Sequence, residues 1–210
     1  MNSSSSTECP CCRGATEAFA LGKETFHRCP ACGFIRKDSS LHPSSEAERA
    51  RYDRHQNAAG DGYDQVLETF LETAVKPFAV PGKALDFGCG KSGRLLALLR
   101  QYGFPAVGYD PFYAPDPAVL KQTYELVTAT EVVEHFRDPE TAWRLLCGLL
   151  APQGILAVST RLIPADFAGW WYRRDETHLC FYTERALVCI ACRFGLRVLH
   201  TDAAGFITFH

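Results

Sequence analysis

The sequence lacks any apolar run that approaches the roughly 18 residues of a membrane-spanning helix. It also lacks an excess of charge of one sign, because its formal net charge is −2, and this gives no electrostatic footprint for nucleic acid or an anionic membrane. The residues from Met1 to Ser6 show neither the charged nor the apolar region of a signal peptide. We therefore expect a cytoplasmic protein that binds neither a membrane nor nucleic acid.

The sequence also does not have the low hydrophobicity that is typical of a disordered chain. A hydrophobic fraction of 47% with 12% aromatic residues suits a globular core. The length of 210 residues accommodates one domain of ordinary size and a small additional module. In the cytoplasm, the ten cysteines are expected as thiols or metal ligands and not as disulfides.

Four cysteines form two C-x-x-C pairs, Cys9 with Cys12 and Cys29 with Cys32, and sixteen residues separate the pairs. Each pair presents two sulfur atoms from one tight turn, and two such turns complete a tetrahedral thiolate site for Zn²⁺. The segment between the pairs has the pattern of two short strands, so the spacing predicts a small zinc ribbon or knuckle. Four thiolates leave no open position for water, which favours structural zinc. Cys11 is a spare thiol that could replace Cys12 in the coordination.

The chain divides into three predicted segments. Residues 1–37 form the zinc-ribbon-like module. Residues 38–62 are polar and either cover the mouth of an active site or form a solvated linker. From residue 63 onward a helical apolar pattern begins, and residues 63–210 form the main domain.

In the main domain, short apolar segments alternate with helical patterns. The predicted strands are 84–87, 106–109, 126–129 and 155–159, and the predicted helices are 92–102, 139–150 and 183–194. This alternation indicates a doubly wound α/β fold with a mostly parallel sheet covered on both faces. The last two predicted strands, 196–199 and 206–209, are joined by too few residues for a parallel crossover. They are therefore predicted to form a C-terminal antiparallel hairpin at the sheet edge.

A glycine-rich turn follows the first of these strands. Gly88, Gly90 and Gly93 satisfy G-x-G-x-x-G, and Asp110 stands where a ribose hydroxyl would be bound, as in a dinucleotide site. Asp86 changes this interpretation, because a buried carboxylate there would repel a pyrophosphate but can bind an ammonium group. A ligand with a ribose and an amino-acid head group satisfies both features, and S-adenosylmethionine has both.

Three stretches carry a resemblance to a known family. Residues 85–90 (Leu-Asp-Phe-Gly-Cys-Gly) resemble the first motif of class I S-adenosylmethionine-dependent methyltransferases, residues 108–111 their second motif, and residues 128–135 their fourth. The resemblance implies a seven-stranded type of sheet, for which the terminal hairpin is distinctive, and S-adenosylmethionine as the cofactor. The zinc-ribbon-like head is similar to that of a bacterial subgroup of the family.

The resemblance also implies which residues bind the cofactor. The glycines would lie against its methionine part, Asp86 near its amino group and Asp110 at the ribose hydroxyls. The residues implied are Asp86, Phe87, Gly88, Gly90, Asp110, Pro111, Phe112, Thr130 and Glu131.

A hydroxyl acceptor needs a base or a metal in addition to the cofactor. The stretch from Glu131 to His135 resembles the E-x-x-E-H stretch of ubiquinone-pathway O-methyltransferases, which implies a divalent cation near Glu131, Glu134 and His135. The alternative is a structural loop at a strand end. The aromatic and charged residues 170–178 suit a planar or charged acceptor, although the tryptophans could instead pack and the charges be solvated. The catalytic candidates are His178, which is the better base, with Asp175 and His135.

The function that we expect is an S-adenosylmethionine-dependent methyltransferase with a small-molecule acceptor. Two alternatives stay open at this point. A nicotinamide-dependent oxidoreductase rests on the glycine fingerprint alone, and Asp86 and the terminal hairpin are evidence against it. The third hypothesis is a non-catalytic, zinc-containing binding protein with the same fold.

Overall fold

A computed structural model of the chain describes residues 8–55 and 61–210. The described helices are α1 (Ser45–His55), α2 (Asp61–Phe70), α3 (Arg94–Gln101), α4 (Pro139–Gly148) and α5 (Glu184–Arg193). The described strands are β1 (Glu17–Leu21), β2 (Glu24–Arg28), β3 (Ile35–Lys37), β4 (Ala84–Phe87), β5 (Ala106–Tyr109), β6 (Tyr124–Thr130), β7 (Leu150–Ser159), β8 (Cys180–Phe181), β9 (Val198–Thr201) and β10 (Phe206–Phe209).

The larger sheet has six strands in the order β5-β4-β6-β7-β10-β9. The first four are parallel to one another, whereas β10 runs antiparallel to both β7 and β9. This arrangement confirms the predicted α/β class, the mostly parallel sheet and the C-terminal antiparallel hairpin.

One strand fewer is described than the family resemblance implied. Residues 111–123, between β5 and β6, contain turns and the short 3₁₀ helix Val119–Lys121. The parallel part of the sheet therefore ends at β5 within the described residues. The cause is visible in the sequence, because Pro111, Pro115 and Pro117 lack the backbone N–H that a strand ladder requires.

Apolar side chains that alternate along the central strands form two layers, one on each face of the sheet. Leu85, Val127 and Leu156 belong to the layer that also holds α4 and α5, including Trp143 and Leu187. Their sequence neighbours Ala84, Leu126 and Ile155 belong to the layer that holds α2 and α3. Because successive side chains of a strand point to opposite faces, both faces of the sheet are buried, as the doubly wound prediction requires.

The smaller sheet has the order β1-β2-β3-β8. The hairpin between the two cysteine pairs is present, with Glu17 opposite Arg28. The fourth strand comes from a distant part of the chain, because Ile35 in β3 pairs with Phe181 in β8. The N-terminal module and the segment before α5 therefore share one sheet.

No described helix is long and apolar enough to cross a membrane. The N-terminal Met1–Ser6 stretch, and residues 56–60 of the predicted covering segment, lie outside the described residues.

Candidate active site

The glycine-rich turn joins β4 to α3. Gly88, Gly90 and Gly93 have φ angles of 79°, 62° and 57°, a left-handed conformation that glycine adopts without the steric cost of a Cβ. A Cβ on Gly88 would in addition collide with the side chain of Val132, which follows β6. The turn can therefore approach both a ligand and the neighbouring strand end closely.

Asp110 ties this turn to the loop that follows β5. Its Oδ2 accepts a hydrogen bond from the backbone N–H of Gly90 at 3.1 Å. Its Oδ1 accepts from the N–H groups of Phe112 at 2.8 Å and Tyr113 at 3.1 Å. A carboxylate has about four acceptor positions. Asp110 can therefore organise both loops and still accept a hydroxyl group.

Asp86 ends up buried at the carboxyl end of β4, with 1% of its surface exposed. The hydroxyl of Thr128 donates a hydrogen bond to its Oδ1 at 3.0 Å. Burial raises the pKa of Asp86 to about 7. Since an opposite charge favours the ionised form, a ligand ammonium group would be stabilised beside this carboxyl.

Two more carboxyl groups lie beyond the end of β6, those of the half-buried Glu131 and the fully buried Glu134. Glu131 has a φ of 52°, which is unusual for a residue other than glycine and is a strained conformation often found at functional sites. The hydroxyl of Tyr172 lies 3.1 Å from Oε2 of Glu131 and 2.5 Å from Oε1 of Glu134. Burial raises the pKa of each carboxyl group to about 7. Tyr172 thus joins two acidic groups in a site with little access to water.

Two histidines adjoin this pair. Nδ1 of His135 is 2.8 Å from the carbonyl oxygen of Thr177, and Nδ1 of His178 is 2.7 Å from that of Tyr172. A carbonyl only accepts, so each Nδ1 carries the proton and each Nε2 keeps a free lone pair. Burial lowers the pKa of both histidines, that of His178 to about 3, which keeps the rings neutral.

Glu134, His135 and His178 could together hold a metal ion. Their ligand atoms all lie within 4.8 Å of one another. Neutral imidazoles whose second nitrogen is bound to a carbonyl are typical metal ligands. The structure thus brings together two of the three residues predicted near a cation and adds His178, whereas Glu131 is outside this group.

Asp175, the third predicted catalytic residue, is engaged in contacts within the protein. Its Oδ1 accepts from the N–H and the hydroxyl of Thr177, and its Oδ2 accepts from Arg51 at 2.7 Å. Burial opposes ionisation, but the hydrogen bonds from Thr177 hold the pKa of Asp175 well below its usual range. These contacts fix the loop that carries His178.

A cavity of about 210 Å³ lies between α2 and the ends of β6 and β7. Its walls are Tyr63, Val66, Leu67, Phe70, Thr130, Glu131, Ser159, Arg161, Trp171 and Phe206. Among the predicted site residues, Thr130 and Glu131 line this cavity, and the guanidinium group of Arg161 lies 5.3 Å from the centre of the Trp171 ring. Arg161 was missed in the sequence. Its position just beyond the end of a parallel strand is the available signal, because ligand-binding groups collect there.

Helix α1 contacts the same region. The ring of Tyr52 meets the ring of His135 edge-on at 5.3 Å, and it lies 5.9 Å from the ring of Phe112. Its hydroxyl donates to Glu48. α1 therefore touches both the histidine pair and the loop after β5.

The four cysteines of the two C-x-x-C pairs converge. Sγ of Cys9 lies 3.5 Å from that of Cys32, and Sγ of Cys12 lies 3.4 Å from that of Cys29. Tetrahedral Zn²⁺ with sulfur ligands at about 2.3 Å separates the sulfur atoms by about 3.8 Å, so the group fits zinc with a small adjustment. Cys11 is buried outside this group, and burial raises the pKa of its thiol.

Comparisons with known proteins agree with this fold. A family model described as Methyltransferase domain matches residues 52–201. The chain belongs to this family, which confirms the predicted class of enzyme, an S-adenosylmethionine-dependent methyltransferase. No curated protein sequence matches the chain at a significant level.

Solved structures share the fold at low sequence identity. Magnesium protoporphyrin IX methyltransferase from Synechocystis PCC 6803, with bound SAH, is similar with a TM-score of 0.58 and 17% identity over 76% of this chain and 94% of that one. Burkholderia thailandensis 1,6-didemethyltoxoflavin-N1-methyltransferase is similar with a TM-score of 0.53 and 15% identity over 92% of this chain and 98% of that one. Neither comparison supports the oxidoreductase or the non-catalytic alternative.

Proposed function

We propose that the protein transfers a methyl group from S-adenosylmethionine to a small molecule bound in the cavity between α2 and the ends of β6 and β7. One observation carries this proposal. The cavity adjoins the ends of β6 and β7 while the glycine-rich turn and Asp110 adjoin those of β4 and β5, so donor and acceptor would meet at one sheet edge. This edge is where α/β sheets bind ligands.

The cofactor roles follow from the charges and backbone groups at that edge. Asp86 would pair with the ammonium group of the cofactor, and Asp110 would accept its ribose hydroxyls. Gly88 and Gly90 would let the backbone approach the methionine part. The remaining predicted residues would border the adenine or close the pocket, and these are Phe87, Pro111, Phe112, Thr130 and Glu131.

The acceptor site combines an apolar wall with a few polar groups. The exposed rings of Tyr63 and Trp171 offer flat apolar surface, and Arg161 and Glu131 offer one charge of each sign. Such a lining suits a planar molecule that carries a polar or anionic substituent. The acceptor class that we propose is therefore a small aromatic compound.

The chemistry is an in-line displacement in which the S–CH₃ bond breaks, the bond from the acceptor to the methyl group forms, and the acceptor loses a proton. Alignment of donor and acceptor supplies much of the rate enhancement. For a hydroxyl acceptor we assign the proton to Glu131, since this carboxyl group lines the cavity. Asp175 would hold the loop that carries His178. His178 and His135 would act indirectly, from the side of Tyr172 that faces away from the cavity.

Two metal sites accompany this proposal. Cys9, Cys12, Cys29 and Cys32 would hold a structural Zn²⁺. Glu134, His135 and His178 would hold a divalent cation, and the hydrogen bonds that orient both imidazoles fit such a role. A cation there would supply Lewis-acid polarisation next to the acceptor site.

Calorimetry with S-adenosylhomocysteine and with NAD tests the donor. We expect binding of S-adenosylhomocysteine only, and binding of NAD alone would contradict the proposal. A panel of small aromatic hydroxyl compounds, assayed for transfer of labelled methyl groups, then tests the acceptor. Glu131→Gln should lower turnover far more than affinity for S-adenosylhomocysteine, whereas Glu68→Gln on the exposed face of α2 should change neither.

A further inference from the structure

Lys37 is a charged residue that the proposed chemistry does not use, yet only 3% of its surface is exposed to solvent. It is the last residue of β3 and of the predicted zinc-ribbon-like module of residues 1–37, which we call the zinc module. Its Nζ donates a hydrogen bond to the carbonyl oxygen of Asp175 at 2.6 Å and lies 3.9 Å from Oε1 of Glu24. Burial lowers the pKa of this amine. A buried charge is costly unless it is paired and hydrogen-bonded, so the Glu24 carboxylate and the hydrogen bond to the carbonyl oxygen of Asp175 together explain the position of this amine.

Backbone pairing reinforces the same connection. The N–H of Lys37 donates to the carbonyl oxygen of Leu179 at 2.8 Å, and Arg36 pairs with Cys180 in the β3–β8 ladder. On the other side of the loop, Arg173 donates to Glu24 at 2.9 Å. Residues 171–181, which we call the acceptor segment, are therefore fixed to the zinc module near both ends.

The acceptor segment carries one wall of the cavity. Tyr172 packs with Phe26 and Ile35 in the apolar core of the zinc module. Its hydroxyl reaches Glu131, and the preceding residue Trp171 lines the cavity. A displacement of this module would consequently move the cavity wall, whereas the glycine-rich turn lies on the other part of the sheet.

The cysteine turns connect directly to this arrangement. The turn from Cys29 to Phe34 leads into β3, and the hydroxyl of Thr183 donates to the carbonyl oxygen of Cys32 at 2.5 Å. A module of this size buries too little apolar surface to fold without its metal. The order of the acceptor segment should therefore depend on the metal in the cysteine site.

We propose that the zinc module is part of the acceptor site: through β3 and the positioning residue Lys37, it holds the acceptor segment so that Tyr172 and Trp171 complete the cavity. This inference rests on the proposed function only for the identity of the cavity as the acceptor site. The coupling itself is a property of the chain without any ligand.

Hydrogen–deuterium exchange on the zinc-loaded protein tests the coupling. Lys37→Met keeps the unbranched apolar stem of the side chain but loses the donor. In this variant we expect the amides of residues 175–181 to exchange about tenfold faster, the effect of losing one buried charge-assisted hydrogen bond. Exchange in α3, zinc content and affinity for S-adenosylhomocysteine should not change. Lys23→Met, at an exposed position of the same module, is the matched control, and Lys37→Arg should restore part of the protection.

Unchanged exchange of residues 175–181 in Lys37→Met would overturn the proposal. If that variant does not fold, Arg173→Gln removes the second anchor and should speed exchange within residues 171–174. Removal of zinc with a chelator should raise exchange in the acceptor segment and not in α3, and an equal rise in both would show that zinc supports the whole fold instead. Failure to bind S-adenosylhomocysteine would contradict the proposed function without altering any of these exchange results.

Discussion

The hydroxyl of Tyr172 donates a hydrogen bond to Oε1 of Glu134 across 2.5 Å, although 38 positions of the chain separate the two residues. Tyr172 is 2% exposed and Glu134 is fully buried. The aromatic ring belongs to the core of the zinc module, whereas the carboxyl group follows the end of β6. This contact helps to join the module to the sheet edge where we place the chemistry.

Replacement of Tyr172 by phenylalanine should destabilise the protein. The substitution removes the short hydrogen bond to Glu134 and leaves this buried carboxyl group with the hydroxyl of Thr160 as a remaining donor. The loss of one hydrogen bond to a buried carboxyl group costs about 1–3 kcal/mol. The free energy of unfolding from urea titration measures the loss. Tyr113→Phe is the control, because its hydroxyl bonds the exposed Asp53 and its removal should cost less than about 0.5 kcal/mol. A loss in Tyr172→Phe as small as the one expected for Tyr113→Phe would contradict a stabilising role of the Tyr172 contact.

Affinity for S-adenosylhomocysteine should rise with pH because of Asp86. Its pKa in the folded protein is raised from the ordinary 3.8 to about 7, so the free protein holds this proton below pH 7. Pairing with the ligand ammonium requires the ionised form, and at pH 6 only about a tenth of the carboxyl groups are ionised. We expect roughly tenfold weaker binding at pH 6 than at pH 8.

The raised pKa of Asp86 also makes the stability of the folded protein depend on pH. Between pH 4 and 7 the folded state binds more protons at Asp86 than the unfolded state does, so the contribution of Asp86 to stability falls as the pH rises through this window.

Calorimetry in buffers of different ionisation enthalpy should show proton release on binding of S-adenosylhomocysteine near pH 6. Asp86→Asn should abolish this release and weaken binding, whereas Asp116→Asn should change neither. An affinity in the native protein that does not vary with pH would contradict the pairing.

The parallel sheet could be predicted because its information is local. Each central strand is a short apolar run, and the residues of β4 and β6 bury both faces, which gives a nearly continuous apolar pattern. The turn at Gly88 and Gly90 requires a conformation that glycine adopts readily, so its position is visible in the sequence. The cysteine pairs were equally visible, because one tight turn supplies two ligands.

The completed site could not be predicted because its contacts join distant segments. β8 consists of two residues, Cys180 and Phe181, and such a short strand has no periodicity of its own. Its pairing with β3 is set by tertiary packing. For the same reason the sequence linked His135 to Glu131, its near neighbour, whereas the structure places it with His178 from another loop.

The composition of the zinc site can be tested with two neighbouring cysteines. Cys12 belongs to the group of four sulfur atoms, and Cys11 lies outside it. Cys12→Ser should therefore lower the zinc content from about one ion per chain to near zero, since structural zinc takes four protein ligands. Cys11→Ser should keep the ion. Metal analysis of the purified variants by mass spectrometry measures this, and retention of zinc in Cys12→Ser together with its loss in Cys11→Ser would place Cys11 in the site.

The second metal site can be distinguished from the first by its ligands. With the cysteine site filled by zinc, we expect the protein to bind one Co²⁺ through Glu134, His135 and His178, without the intense absorption that sulfur ligands produce. His178→Ala removes one of three protein ligands and should weaken Co²⁺ binding by at least about tenfold to a hundredfold, since even the loss of an outer partner has effects of this size. His200→Ala, in the C-terminal hairpin, should leave the Co²⁺ titration unchanged.

Helix α1 contacts His135 through the ring of Tyr52. Tyr52→Phe should also preserve Co²⁺ binding, because it keeps the ring contact and loses only the hydroxyl that bonds Glu48. Equal Co²⁺ uptake in the native protein and His178→Ala would exclude this group of residues as the site.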